Sequence, residues 1–243
     1  MKKFFALVKR NTLETLRDPL AAVFCVLFPI VMLVFMQVLV KSIEFAPENF
    51  MIKNYAAGIG VFGYTFTAMF LAMRLAGDKN TAFIKRVKVL PIKKTAYVFS
   101  FFAAAVPIAI VQTILFFVIA LFFGLPFDGN WFLSIAYLMF SAVHYLSFGV
   151  LVGTMVNREE KAGPLCSIAV SLTGMLGGIF MPVSIFTGAM KTIINILPFA
   201  HSTFIASEIY TVGAGSIYPH ALWLVGYTVL YWIIVCAVEK ARE

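Results

Sequence analysis

Long apolar segments alternate with short polar ones along the whole chain. Six apolar segments reach the roughly 20 residues that a helix needs to cross a bilayer. They cover residues 20–40, 54–76, 96–123, 133–155, 164–182 and 221–238. This pattern predicts an all-α, polytopic membrane protein with six transmembrane helices, because only helices and closed barrels satisfy their backbone groups in lipid.

The residues before the first span have helical periodicity. At 100° per residue an apolar arc contains Phe4, Phe5, Val8, Thr12 and Leu16, and a polar arc contains Arg10, Glu14, Arg17 and Asp18. Leu7 and Lys9 interrupt the pattern. We expect residues 1–19 to form a cytoplasmic interfacial helix that Asp18 and Pro19 end. The alternative is a charged tail that only sets orientation.

Residues 183–220, between the fifth and sixth spans, are too apolar for an ordinary loop and too interrupted by Pro and Gly for one span. Two short helices, broken at Gly188 and Pro198, fit this segment and would re-enter the outer leaflet. Glu208 is the acidic residue there. The alternative is an external loop that lies on the bilayer.

Composition strengthens the membrane prediction, and charge placement orients it. The 243 residues are 62% hydrophobic and only 12% charged, which excludes a soluble domain, a disordered chain and a collagen-like fibre. Of the 19 Lys and Arg residues, 15 lie before span one, between spans two and three, between spans four and five, and in the tail 239–243. The positive-inside rule therefore predicts a multi-pass plasma-membrane protein with both termini in the cytoplasm.

The cytoplasmic loop 77–95 mixes apolar and basic residues. A short amphipathic helix here would place Phe83, Ile84 and Val87 on one side, which favours a docking element. The alternative is a loop that only fixes topology. Arg74, near the end of the second span, is expected to extend its side chain to the headgroups.

Motifs for covalent chemistry are absent from the sequence. It contains no Walker A pattern, no metal-ligand spacing and no nucleophile elbow, so we expect no catalytic, metal-binding or cofactor-binding residue in this chain. A GxGxxG match at residues 58–63 lies inside an apolar span and indicates a helix-packing face. The pairs Gly149 with Gly153 and Gly174 with Gly178 are interpreted in the same way. Cys25, Cys166 and Cys236 are treated as small apolar residues.

Polar side chains inside the spans are few. His144 is the one histidine expected near mid-membrane, and a lone histidine there is more often hydrogen-bonded to a neighbouring helix than functional. Gln37 and Gln112 would face a cavity or another helix. This scarcity of ionisable groups argues against an ion-coupled pump.

Several short motifs, in order and spacing, carry a family resemblance. They are Leu16-Arg17-Asp18-Pro19, Pro29, the basic Arg86…Leu90-Pro91 loop, Gly177-Gly178-Ile179-Phe180-Met181-Pro182 and Ile196-Leu197-Pro198-Phe199. With them, nearly the whole chain resembles the membrane subunit of type-2 ATP-binding-cassette (ABC) exporters.

The resemblance implies partners and site residues. A second copy of the chain (a homodimer) or a paralogous permease would pair with it, and a separate ATPase subunit would bind ATP and Mg²⁺. The ATPase contact would use the N-terminal helix and the coupling residues Phe83, Ile84, Lys85, Arg86, Val87 and Pro91. Re-entrant helices would cap the outer side through a segment that includes Gly178, Pro182, Pro198 and Glu208.

The resulting hypothesis is a permease subunit of an ATP-driven exporter. It would move a hydrophobic or amphipathic substrate (a drug, an antimicrobial peptide or a lipid) out across the plasma membrane, and nucleic acid is not expected as a partner. The alternatives are an ATP-independent channel or secondary transporter, and a membrane-embedded enzyme or assembly factor.

Overall fold

The structure is a computed structural model that describes residues 2–43, 51–82, 84, 93–180, 183–210, 213 and 217–241. Helices, and no β-strands, make up the regular structure of these residues. In chain order they are α1 (Lys2–Leu16), α2 (Pro19–Lys41), α3 (Ile52–Asp78), α4 (Lys94–Phe122), α5 (Gly129–Met155), α6 (Glu159–Leu176), α7 (Gly188–Ile196), α8 (Pro198–Ser207) and α9 (Ile217–Ala241). The 3-10 turns Val183–Ile185 and Glu208–Tyr210 flank the α7–α8 pair.

The predicted all-α, polytopic membrane class is confirmed. Within the described residues, five helices are long and apolar enough to cross a membrane: α2, α3, α4, α5 and α9. The fifth predicted span, residues 164–182, corresponds to α6, which is not among them, so the count of six is not confirmed. Charged Glu159 and Glu160 begin α6, and the chain leaves the helix before Gly178, whose φ of 77° ends helical geometry.

The central element of the bundle is α3. In its apolar segment 83% of the residues are buried, against 17% in α2 and 11% in α9. It packs against α4, α5, α6 and α8. A Cβ atom on Gly149 would lie 2.9 Å from the Cα of Ala68, and one on Gly153 would lie 3.1 Å from the Cα of Ala72. The predicted packing role of this glycine pair is therefore confirmed: it lets α5 approach the α3 backbone.

The 58–63 glycine motif is also a packing face. A Cβ on Gly63 would lie 2.7 Å from Pro29 of α2 and would collide with Gln112 of α4. A Cβ on Gly58 would lie 3.2 Å from Ile179. These contacts confirm that the motif serves helix packing and show where α2 and α4 approach α3.

The helix pair α7–α8 has the predicted break points. The first helix begins at Gly188, whose φ is 58°, and the second begins at Pro198. Most of α8 is buried, and it packs against α3, α5 and α9. The alternative of a loop lying on the bilayer is therefore wrong for α8, which is part of the protein core.

Polar side chains within the bundle join helices to each other. The Tyr55 hydroxyl donates to Gln37 at 2.5 Å, and Thr67 donates to Gln112 at 3.0 Å. His144 is buried against Tyr145 and Tyr231, and its Nδ1 has no hydrogen-bond partner among the described residues. Both glutamines therefore face neighbouring helices, as the sequence allowed.

The helix α1 lies along α4, and its buried face differs from the predicted arc. Leu7 and Asn11 are buried, whereas Phe5 is 65% exposed and Leu16 is also exposed. Leu7 was treated as an interruption of the pattern, and that interpretation is wrong. Periodicity alone positioned the arc against a flat membrane surface, whereas α4 provides a neighbouring helix that selects a different side.

The start of α1 and the second half of α9 lie at the same end of the bundle as the start of α4. Phe4 of α1 stacks on Phe99 of α4, and Phe99 also contacts Trp232 in the second half of α9. The last residue of α3, Asp78, reaches α1 and the start of α4 at this same end. We call it the Asp78 end, and we call the end that carries α7 and α8 the His201 end.

Candidate functional site

Asp78 collects hydrogen bonds from three elements of the structure. Arg10 of α1 donates to both carboxylate oxygens, at 2.7 and 2.8 Å, and Tyr97 of α4 donates to Oδ2 at 2.8 Å. Thr81, just beyond α3, donates to Oδ1 at 3.2 Å. Asp78 is only 7% exposed, so this bidentate ion pair is shielded from water and stronger than a surface pair.

The packing of α1 against α4 orients the Arg10 side chain toward the Asp78 carboxylate. Asn11 donates to the buried Ser100 hydroxyl at 3.0 Å, which fixes the rotation of α1 about its axis. Glu14, one turn after Arg10, accepts from its Nε at 2.9 Å. The hydrogen bond to Asp78 is the main cause that raises the pKa of the Arg10 guanidinium, so Arg10 remains charged.

Arg74, one turn before Asp78 on α3, holds the junction of α1 and α2. Its Nη2 donates to the Glu14 carbonyl at 2.6 Å and to Asp18 Oδ2 at 3.2 Å. Asp18 in turn caps α2 by accepting from the amide of Leu20 at 3.0 Å. The expectation that Arg74 extends to the headgroups is therefore wrong, because protein groups bind its guanidinium.

Lys79, the residue after Asp78, joins α3 to the end of α5. Its Nζ donates to the carbonyls of Gly153, Thr154 and Val156 at 2.7, 2.6 and 2.8 Å. These are carbonyls that a helix C-terminus leaves without intrahelical partners, and a cation there also complements the helix dipole. Asn80 donates to the Asn157 carbonyl at 2.6 Å, which extends the contact to the α5–α6 turn.

These contacts form one continuous polar cluster, which we call the Asp78 network. Its members are Arg10, Glu14, Asp18, Arg74, Asp78, Lys79 and Tyr97. It joins α1, α2, α3, α4 and the C-terminus of α5 where the chain leaves α3 toward residues 80–93. Nothing in this geometry resembles a catalytic arrangement, and the ion pairs serve to fix helices to one another.

Comparison with known proteins decides the family. Residues 2–210 match the family described as "ABC-2 type transporter". The chain belongs to the ABC-2 type transporter family. It is also 23% identical over 198 residues to the protein named "Putative transport permease YvfS" of Bacillus subtilis (strain 168), and the match covers 78% of each chain.

Membership makes this ABC-2 chain a transport permease subunit embedded in the membrane, and the family implies pairing with an ATPase subunit. The family also indicates a non-enzymatic membrane subunit. Among the described residues, no group of three His, Cys, Asp or Glu side chains could hold a metal ion.

A small cavity adjoins the Asp78 network between α1, α2, α3 and α4. Its volume is about 20 Å³, which is room for one water molecule and not for a substrate. Asn11, Thr67 and Arg74 are among its lining residues, and the Nε of Arg74 is buried without a partner among the described residues. A single water could therefore complete the hydrogen bonding of Arg74.

Most of the residues predicted to couple this ABC-2 chain to an ATPase lie outside the residues that the structure describes. Phe83, Lys85, Arg86, Val87 and Pro91 lie outside the described residues. Ile84 is described and is only 4% exposed, so its side chain packs inside the chain instead of forming an exposed docking surface.

The other predicted site residues divide between the two ends. Of the interfacial-helix residues, Arg10 joins the Asp78 network, whereas the side chains of Phe5, Val8 and Arg17 make no hydrogen bond or ion pair within the described residues. Gly178, Pro198 and Glu208 belong to the α7–α8 region, and Pro182 lies outside the described residues.

Sequence reasoning missed the centre of the site. Asp78 and Tyr97 were not proposed as functional, although an acidic residue ending a span, followed by a lysine, was a readable signal. Arg10 was predicted on the polar arc of an interfacial helix, without a protein partner. Its partner lies 68 residues away, and no local pattern indicates which acidic residue it will meet.

Proposed function

We propose that this chain is the permease subunit of an ATP-driven exporter that moves a hydrophobic or amphipathic substrate out across the plasma membrane. ATP and Mg²⁺ would bind to a separate ATPase partner. Candidate substrates are drugs, antimicrobial peptides and lipids. The observation that carries the proposal is the Asp78 network, which ties five helices together at the base of the connection between α3 and α4.

The network provides a mechanical route from a docked ATPase to the bundle. A partner that displaces residues 79–93 would pull directly on Asp78 and Lys79, and through them on α1, α4 and α5. Since α3 packs against five other helices (α2, α4, α5, α6 and α8), its displacement changes their arrangement together. ATP can drive this change only if the two arrangements of the bundle differ in affinity for the ATP-bound partner.

Charge supports a cytoplasmic location for the Asp78 end. The described basic residues of α1, Lys79 and Lys94 cluster there, and 15 of the 19 Lys and Arg residues fall in segments assigned to that side. We therefore propose that both termini are cytoplasmic. Reporter domains fused at the N-terminus and at the C-terminus should both be protected from protease added outside intact cells.

Weakly buried helices support a second copy of the chain as partner. The exposed apolar side chains of α2 include a stripe at helical spacing, with Val23, Phe35 and Leu39 exposed beside it: Leu20, Phe24, Leu27, Val31, Val34 and Val38. Alternating steps of four and three residues are typical of a helix that packs along another helix. We propose that this stripe contributes to a homodimer contact, which disulfide cross-linking of a Val31→Cys variant would test.

Reconstitution tests the central proposal. The chain is co-purified with candidate ATPase subunits, incorporated into liposomes, and assayed for ATP hydrolysis and for ATP-dependent movement of a fluorescent amphipathic lipid. The key variant is Asp78→Asn, which removes the charge that Arg10 binds while keeping the side-chain shape. The matched control is Asp128→Asn, the same change at an exposed helix cap at the His201 end.

We expect Asp78→Asn to co-purify with the ATPase yet to lose most of the ATP-dependent movement, whereas Asp128→Asn behaves as wild type. Full transport by Asp78→Asn would contradict the role of the network. Transport that follows an ion gradient and persists without any ATPase would instead establish the secondary-transporter alternative.

A further inference from the structure

The His201 end contains a chain of titratable side chains that the proposed transport function does not use. His201 Nδ1 lies 2.6 Å from His220 Nδ1, and His220 Nε2 lies 3.2 Å from Glu208 Oε2. His201 Nε2 lies 2.8 Å from the carbonyl oxygen of Asn195. Trp223 stacks on the His201 ring with centroids 5.5 Å apart. These contacts connect the end of α7, α8, the 208–210 turn and the first turn of α9.

The hydrogen-bond partners determine how many protons Glu208, His220 and His201 hold together while all of these contacts are formed, which we call the closed state. A carbonyl only accepts, so His201 Nε2 carries a hydrogen. The contact between the two Nδ1 atoms needs one hydrogen between them, and so does the contact between His220 and Glu208. In the closed state the three side chains therefore hold one proton more than a set of two neutral histidines and one ionised carboxylate. They hold one proton fewer than a set of two imidazolium ions and one ionised carboxylate.

Adding or removing a proton breaks a contact. With one more proton, two N–H groups face each other between the histidine rings. With one fewer, either the two ring nitrogens face each other as lone pairs, or His220 Nε2 faces the Glu208 carboxylate without a hydrogen. Both arrangements are repulsive at these distances.

The surroundings of His201 favour its uncharged form. Burial is the main cause that lowers the pKa of His201, and the nearby His220 lowers it further. The Asn195 carbonyl and Glu208 act in the opposite direction. Facing α8 from α5 are the polar groups of Ser134, Ser141 and Tyr145, and among the described residues α3 and α6 contribute no charge that acts on this ring.

We propose that Glu208, His220 and His201 form a one-proton clasp that holds α7, α8 and the start of α9 together near neutral pH and releases them when it gains or loses a proton. The inference goes beyond the proposed transport function and does not depend on the ATPase. If the His201 end faces the outside, as the charge distribution predicts, the clasp responds to external acidity.

The sign of the pH dependence follows from the proton count. Well below the ordinary histidine pKa of about 6.5, the open state binds one proton more than the closed state, so the clasp weakens as pH falls. Well above it, the open state binds one proton fewer, so the clasp weakens as pH rises. We call the acid side and the alkaline side of this pH profile its two limbs. Along each limb the opening equilibrium changes by at most about tenfold per pH unit.

Hydrogen exchange on the full chain in lipid nanodiscs tests the clasp. Exchange of peptides from residues 198–210 and 217–225 is measured from pH 5 to pH 9 and divided by the intrinsic exchange rate at each pH. Peptides from α1 serve as the internal control, because Arg10 stays charged throughout this range. The wild type should show maximal protection at the middle of the range and lower protection on both sides.

Two variants separate the two limbs. In Glu208→Gln the amide can donate to a bare His220 Nε2, so the closed state no longer needs the extra proton. The alkaline limb should vanish while the acid limb remains. In the double variant His201→Gln with His220→Gln both limbs should vanish.

A wild-type profile without a maximum would overturn the proposal. A Glu208→Gln profile that superimposes on the wild type would do the same, even if the double variant does not fold. A purely structural role for the three side chains would change the level of protection in the variants and leave the shape of the pH profile unchanged.

Discussion

At one end of the bundle Asp78 draws α1, α3 and α4 together through charged groups; at the other, α8 is held through neutral groups and a shared proton. Ser141 donates to the Ser202 carbonyl at 2.7 Å, and Ser134 donates to the Ala206 carbonyl at 3.2 Å. Tyr145 adds contacts to Thr173 at 2.8 Å and Ser202 at 3.2 Å. The Asp78 end therefore depends on permanent charges, and the His201 end depends on hydroxyl groups and on protonation.

This difference has a mechanical meaning. A buried ion pair is costly to break, because each separated partner leaves an uncompensated charge in an apolar environment. A hydroxyl–carbonyl bond contributes much less and is easily exchanged for another partner. We expect the Asp78 end to move as one body and the α7–α8 pair to separate from the bundle at a lower energy.

The largest expected effect comes from removing the central charge. Asp78→Ala leaves Arg10 without its bidentate partner and should lower the free energy of unfolding by about 3 kcal/mol. SDS titration in mixed micelles measures this quantity. In the double variant with Arg10→Ala the loss should be smaller than the sum of the two single losses, because the lone charge is removed. Arg17→Ala, at an exposed position on the same chain segment, is the control, and additive losses would contradict a direct pairing.

A smaller effect is expected where a cation caps α5. Lys79→Met keeps the length of the side chain but removes the three bonds to the carbonyls of Gly153, Thr154 and Val156, so we expect a loss of about 2 kcal/mol. Hydrogen exchange should increase selectively at the end of α5. An unchanged exchange rate there would show that the α3–α5 connection rests on packing alone.

At the His201 end a single hydroxyl should matter less. Ser141→Ala removes the donor to Ser202 from a fully buried position and should cost about 1 kcal/mol in the same SDS titration. Ser167→Ala is the matched control and should be near neutral, because Ser167 is exposed and its hydroxyl bonds to the Gly163 carbonyl of its own helix and makes only a long contact, at 3.9 Å, to the Met69 sulfur. If Ser141→Ala destabilises as strongly as Asp78→Ala, the proposed contrast between the two ends fails.

The smallest expected effect is that of pH on the ion pair between Arg10 and Asp78, which we expect to be nil near neutral pH. Because its hydrogen bond to Asp78 raises the pKa of Arg10 above that of an ordinary guanidinium, Arg10 keeps its charge through neutral and mildly alkaline pH, and its contribution to the pair is lost only as the pH rises through this raised pKa. Exchange protection of α1 should therefore stay constant from pH 6 to pH 9. A decline within this range would mean that a different titrating group controls the Asp78 end.

Local sequence signals predicted the helix pair at the His201 end well. Gly188 and Pro198 determine where α7 and α8 begin through their own backbone preferences, so neighbouring residues alone locate both starts. A packing face on α5 could also be predicted, since Gly149 and Gly153 repeat on one side of the helix, but the sequence did not indicate that α3 is the helix packed against it.

The parts that sequence reasoning missed depend on contacts between distant segments. The buried side of α1 is selected by α4, which brings Asn11 to Ser100, 89 residues away. The pairing of Arg10 with Asp78 and of Arg74 with Asp18 likewise follows from how helices pack. Arg10 and Asp18 were placed on the polar arc of an interfacial helix and Arg74 was directed to the headgroups, because a single sequence shows the charge and not the opposing helix.

The burial of α3 has a consequence for how the protein enters the membrane. The mean hydropathy of its most apolar segment is 1.6, against 2.8 for α2 and 2.6 for α4, because glycine and hydroxyl side chains serve packing within the protein. A segment of low hydropathy partitions less readily into lipid from the translocation channel. We therefore expect stable insertion of α3 to depend on helices that are synthesised after it, above all on α5, whose Gly149 and Gly153 contact the α3 backbone.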